Sequence, residues 1–214
     1  MIFKEKKWES ISDELSLYKR QVNGLNDPYI KDYDPLLLSA CFKEEYKRSK
    51  MTEEYIRSFI EAAKALSKAT KEQQSNFPGI NKIFYSYSLT LPALYLCRHS
   101  IEMVIKYSLE ILHVEFKKIH KLNELWDKLV KSIPKELQSG KERTVISNMG
   151  LFIDKMNSLD ENGQRLRYAI QTSGNLSQDN FLWVNLQSVV NCTERFIDQI
   201  LSIDVDSILK NMNQ

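Results

Sequence analysis

Arg98, Glu102 and Lys106 stand four residues apart within LCRHSIEMVIKYSL, so on a helix they form one row. On a solvated face such a ladder would add only about 0.3 to 0.5 kcal/mol per pair. Facing a cleft, the Arg fork and the Lys ammonium would instead suit a phosphate. His120 opens HKLNELW, where its imidazole could cap a helix by accepting a backbone N–H. Its alternative role is a proton carrier in a site shared with Arg98, because imidazoles titrate near neutrality. Arg165, Arg167 and Tyr168 follow in QRLRYAI. They could anchor their own loop, with Arg167 on a carboxylate such as Asp160 and Tyr168 on the central helix. They could equally contact a ligand, the Arg holding a phosphate and the Tyr stacking on a base.

Other chemistries lack their residues. The sequence has no P-loop, no dinucleotide-binding glycine pattern, no nucleophile elbow and no zinc-protease motif. Cys41, Cys97 and Cys192 are far apart, each inside an apolar helical pattern, and read as reduced core thiols. Asp154, Asp160 and Glu161 lack the spacing of a calcium loop and read as a solvated acidic segment. No metal and no cofactor is expected.

The elements that must position these residues are helical. Only 6 Gly and 5 Pro punctuate 214 residues, too few for a many-stranded sandwich or barrel. With 43% hydrophobic residues the chain can bury a proper core. Trp8 to Val22 has helical spacing and stops at the breaker Asn23 to Pro28. Asp34-Pro35 opens a second helix, and Thr52 with Glu53 and Glu54 caps a third, striped by Tyr55, Ile56, Phe59, Ala63 and Leu66. Ile83 to Leu91 alternates like a strand but has no partner nearby, and reads as helix. From Pro92, Leu94, Ile101, Val104, Ile105, Leu109 and Leu112 mark the central helix. A basic link then leads to a helix through Leu122, Trp126 and Leu129 that ends before Pro134. Thr144 to Met156 is the next, with Gly150 a weak point. The polar segment Ser158 to Gln178 is the longest loop, and loops of that length are often functional. Asp179 to Ile203 and Val205 to Met212 complete the series.

Net charge is +2, unevenly spread. Residues 1–143 hold 25 basic and 20 acidic side chains, and residues 144–214 hold 5 and 8. A general nucleic-acid binder is usually more basic, so any phosphate contact should be a local patch. No segment reaches the roughly 20 apolar residues of a membrane span, and the N-terminus has no signal-peptide run. A cytoplasmic protein with no membrane partner is the simplest expectation.

The order of a long helix carrying Arg98, Glu102 and Lys106, a basic link to His120, a second helix, an Arg-Tyr loop and a last long helix resembles the HEPN superfamily of helical, often RNA-cleaving proteins. The resemblance implies an all-α, antiparallel helical bundle over residues 79–214, with additional N-terminal helices over 1–78, the two forming one compact unit. It further implies binding of RNA or a nucleotide by Arg98, Glu102, Lys106, His120, Arg167 and Tyr168, in a prokaryotic defence or toxin-antitoxin type system. A homodimer, or a complex with a partner protein, would follow. The family's ribonucleases carry an Arg four to six residues before a His. That pair is missing here, since no Arg precedes His99, His113 or His120 at that spacing. Leu166 replaces an aromatic residue of the family's loop, and Ala169 a proline. Three functions therefore stand open: RNA or nucleotide binding, a metal-independent ribonuclease using Arg98 with His99 or His120, and an inactive scaffold or antitoxin-like interaction protein.

Overall fold

The computed structural model describes residues 45–76, 81–167 and 184–212. The helices expected over Trp8–Val22 and from Asp34, the Phe77-Pro78-Gly79 break, Cys41 and Tyr168 lie outside the described residues, as does most of the polar segment beyond Arg167. Every described residue is in a helix, a turn or a connecting loop, with no strand among them, and the fold is all-α. The helices are α1 (Glu45–Asn76), α2 (Asn81–Ile111), α3 (Leu122–Ser132), α4 (Gly140–Leu159), α5 (Leu186–Leu201) and α6 (Val205–Met212), with a 3-10 turn at Lys135–Leu137 before α4. All belong to one compact unit, Glu44–Gln214.

Several boundaries differ from the sequence reading: α4 starts at Gly140 rather than Thr144, and α5 runs from Leu186 to Leu201 rather than from Asp179 to Ile203. Thr52 does not start a helix but lies inside α1. Between Leu36 and Phe77 there is no Gly or Pro, so nothing in the chain ends the preceding turns, and Lys47 to Met51 are ordinary helix formers. Pro92 neither starts nor ends a helix, because α2 runs through it from Asn81. Its ring is exposed, and the one backbone bond it removes lies at the helix surface. The Ile83–Leu91 segment is helical, as expected.

Helix α2 is the centre of the bundle, packed against α1, α3 and α5, while α4 packs on α3. From Ala93 to Leu109 none of its residues is exposed. Ile101, Val104, Ile105 and Leu109 are fully buried against Ile56 and Ile60 of α1, Leu122 and Leu125 of α3, and Val190 and Ile197 of α5, all in one core. Burial of one such side chain stabilises by about 1.5–3 kcal/mol. Enclosure has a second effect. The buried polar groups of α2 cannot reach water and must be satisfied internally: Ser100 and Ser108 donate to the carbonyls of Leu96 and Val104, and Arg98 and Glu102 pair with each other.

Helix α2 ends in a left-handed stop. His113 has φ +56°, its N–H donates to the Glu110 carbonyl, and the Val114 N–H donates to the Leu109 carbonyl. This double bond pattern closes a helix end, normally with glycine in the left-handed place. His113 is exposed, and its part in this fold is that stop.

Cys97 is buried, its thiol pushed up to about 12 by burial. Cys192, expected in the core, is exposed on α5. Tyr55 likewise leaves the expected apolar stripe and is 53% exposed, whereas Ile60, outside that stripe, is buried in the core. No helix among the described residues is long and apolar enough to cross a membrane.

Candidate functional site

Arg98 projects from α2 towards two chain segments that only the fold brings near it. Its Nη1 donates to Glu102 Oε2 at 2.7 Å, its Nη2 to the His120 carbonyl at 2.6 Å just before α3, and its Nε to the Asp160 carbonyl at 3.0 Å just after α4. The Asp160 carboxylate Oδ2 adds an ion-pair contact at 3.3 Å from Nε. The residue is 2% exposed. All three guanidinium nitrogens are thus bonded within the protein, and Arg98 ties α2 to the ends of two other helices.

Glu102 is the other half of this frame. Its Oε2 takes Arg98, and its Oε1 takes both the Lys106 ammonium at 2.7 Å and His120 Nδ1 at 2.9 Å. Burial by itself pushes the Glu102 carboxyl up; the hydrogen bonds from Lys106, Arg98 and His120 overturn that and hold it down at about 2. Lys106 and His120 therefore converge on a single carboxylate oxygen and stand side by side. Their side chains are 23% and 56% exposed, so this edge of the buried network meets solvent.

The row Arg98, Glu102, Lys106 is thus not a solvated ladder. Nor does the His120 ring cap α3. The cap residue is Lys121, without a side-chain bond, and the open Leu122 N–H is taken by Asn157 Oδ1 of α4 at 3.1 Å. The imidazole is drawn instead to Glu102, a charged acceptor that outcompetes a neutral backbone contact.

The segment DENGQR after α4 is a tight turn built around Asp160 and Gly163. Asp160 is fully buried; its Oδ1 accepts the Arg165 backbone N–H at 2.9 Å, and Asn162 Oδ1 accepts the Gln164 N–H at 3.1 Å. Asp160 thus serves Arg98 and the turn, not Arg167 and not a solvated acidic loop. Gly163 has φ +75°, and the place a Cβ would occupy is 3.2 Å from Nη1 of Arg98 and 3.2 Å from Nη2 of Arg167. The two guanidinium groups therefore flank this glycine, and Arg167, which is exposed, donates through Nε to its carbonyl. On the rim Lys121 pairs with Glu161 at 3.3 Å.

Of the residues expected at a site, the fold brings together Arg98, Glu102, Lys106, His120 and Arg167. His99 points elsewhere. Its ring meets Phe59 of α1 edge-on and stacks on Tyr95, with centroid distances of 4.9 and 5.6 Å. Burial lowers its pKa, against the pull of Glu102 and with the charges of Arg167, Arg98 and Lys106 acting in the same direction, so it is neutral at pH 7. Asp160, expected as an anchor for Arg167, anchors Arg98 instead, and Gly163 and Asn157 are framework residues that the sequence reading did not include. The Asp-x-Asn-Gly spacing does signal a tight turn, but nothing local to it signals what the turn packs on.

Chemically the cluster sets three cations, Arg98, Lys106 and Arg167, against two carboxylates, Glu102 and Asp160. Lys106 and His120 meet solvent side by side at one edge of this cluster. Such an edge suits an anion with several acceptor oxygens. Among the described residues there is no group of three or more His, Cys, Asp or Glu side chains that could hold a metal ion. No family model, curated protein or solved structure matches this chain.

Proposed function

We propose that this is an RNA- or nucleotide-binding protein of HEPN-like architecture whose site takes a phosphate at Lys106, His120 and Arg167. One observation carries the reading. The Lys106 ammonium and His120 imidazole are held side by side by one oxygen of the buried Glu102, so two polar side chains are oriented before a ligand arrives and lose little freedom on binding. Arg98 acts here as a positioning residue: it fixes Glu102 and the His120 backbone and, at 2% exposed, lies beneath the surface that a ligand would reach. The resemblance noted in the sequence supplies the biological setting, a prokaryotic defence or toxin-antitoxin type system, in which the protein works as a homodimer or with a partner protein.

The test is equilibrium binding of single-stranded RNA and mixed tRNA in chelator at increasing salt. Affinity should fall with salt, and Lys106→Ala and Arg167→Ala should each weaken binding and flatten the salt dependence by about one phosphate contact, with the helical circular dichroism of the parent retained. Binding unchanged in both variants would move the site elsewhere. No binding at all would leave the scaffold reading.

A second reading has its own support. The Glu102–His120 pair holds an imidazole through Nδ1, which directs Nε2 outward as a proton acceptor. A metal-independent ribonuclease could use it on a 2′-hydroxyl, with Lys106 stabilising the phosphorane charge. That reading requires chelator-resistant cleavage to 2′,3′-cyclic phosphate ends, abolished in His120→Ala with binding retained. Intact RNA after prolonged incubation rejects it.

A further inference from the structure

Beside the charged cluster runs a row of rings that the phosphate site does not use. On α1, Tyr55 and Phe59 meet edge-on at 5.2 Å. Phe59 crosses to His99 of α2 at 4.9 Å, and His99 lies nearly parallel to Tyr95, 15° apart at 5.6 Å. The Arg167 guanidinium carbon then sits 5.9 Å from the centre of the Tyr95 ring. Arg167 is the same residue that flanks Gly163 opposite Arg98, so it links the row of rings to the charged cluster.

Core packing accounts for only part of this row. Ile56, Ile60 and Ala63 already fill the buried face of α1, whereas Tyr55 is 53% exposed, and Phe59, His99 and Tyr95 are only partly covered. His99 is neutral at pH 7 and adds a ring, not another charge, to the row. Partly exposed rings beside lysine and arginine are what unpaired bases require: π-faces for the bases, cations for the phosphates between them. The row spans three ring-to-ring contacts, longer than one base, which favours a strand over a single nucleotide.

We propose that Tyr55, Phe59, His99 and Tyr95 form a stacking surface for consecutive unpaired bases of an RNA strand whose phosphates lie at Arg167 and Lys106. This rests on the phosphate-site reading above.

The experiment compares, by fluorescence anisotropy, a short single-stranded RNA with an abasic strand of the same length, using the full chain and its Tyr55→Ser and Tyr55→Trp variants. Tyr55 is exposed enough for either substitution to leave the fold intact. The parent should bind the intact strand on the order of tenfold more tightly than the abasic one. Tyr55→Ser should reduce that preference while its affinity for the abasic strand and its salt dependence stay unchanged; Tyr55→Trp should keep it. Adenosine monophosphate at the same base concentration should fail to displace the strand, and full displacement would overturn the strand in favour of a single nucleotide. Equal affinity of the parent for both strands, or an undiminished preference in Tyr55→Ser, overturns the stacking surface and leaves the phosphate site standing. Failure to bind either strand overturns both.

Discussion

A guanidinium that is 2% exposed and bonded at every nitrogen cannot be truncated without leaving buried carbonyls and a buried carboxylate unpaired. Arg98→Ala should therefore cost about 3–5 kcal/mol in a urea titration, and Arg98→Lys should recover little of it, because an ammonium cannot span three acceptors held in a fork. A loss under about 1 kcal/mol would remove Arg98 from the frame. Glu102 gives a pH signature. Its carboxyl lies at about 2 in the folded chain, below the ordinary value, so its stabilisation is complete above about pH 4.5 and drains away as pH falls towards 2, where the unfolded chain takes a proton that the folded one refuses. The urea midpoint should drop across that window, and more shallowly in Glu102→Gln; parallel slopes would contradict the assignment. Spacing made the Arg98, Glu102, Lys106 row legible. Its burial was not, because the segments that cover it, at His120 and Asp160, lie 22 and 62 residues away, and periodicity along one helix carries no information about them.

The helices themselves followed from apolar spacing, since a stripe such as Ile101, Val104, Ile105 and Leu109 has one way to be buried. Helix ends were less legible. The stop at His113 uses a residue without a glycine's freedom, so the turn forms because the Leu109 and Glu110 carbonyls are satisfied there, and the left-handed φ carries a penalty. Replacing His113 by Gly should raise stability by roughly 0.5–1 kcal/mol, read as an increase in melting temperature; a decrease would mean that the imidazole makes a contribution of its own. Gly150, which looks like a weak point of α4, lies against Trp126: a Cβ there would lie 3.1 Å from the indole Nε1. Sequence marks the glycine but not the neighbour that gives it a purpose.

At the scale of the molecule, a net charge of +2 is too small for general nucleic-acid binding. A phosphate site must come from local geometry, and the edge of the Arg98–Glu102 frame where Lys106 and His120 meet solvent is the place for it. That the chain is all-α was legible from its lack of turn residues. That Lys106 and His120 share one edge was not, since α2 and the segment before α3 have to meet at Glu102 before they do. A dimer built on this unit would show twice the monomer mass by light scattering at micromolar concentration; a monomer alone and with RNA would contradict the homodimer. The most direct test of the phosphate site uses the three histidines as reporters. With imidazoles isotopically labelled, a short single-stranded RNA is titrated in chelator and the ring resonances are followed by NMR. The account predicts a saturable shift at His120, while His113, at its exposed helix stop, stays still. RNA that binds by anisotropy with His120 unmoved, or that does not bind, would contradict it.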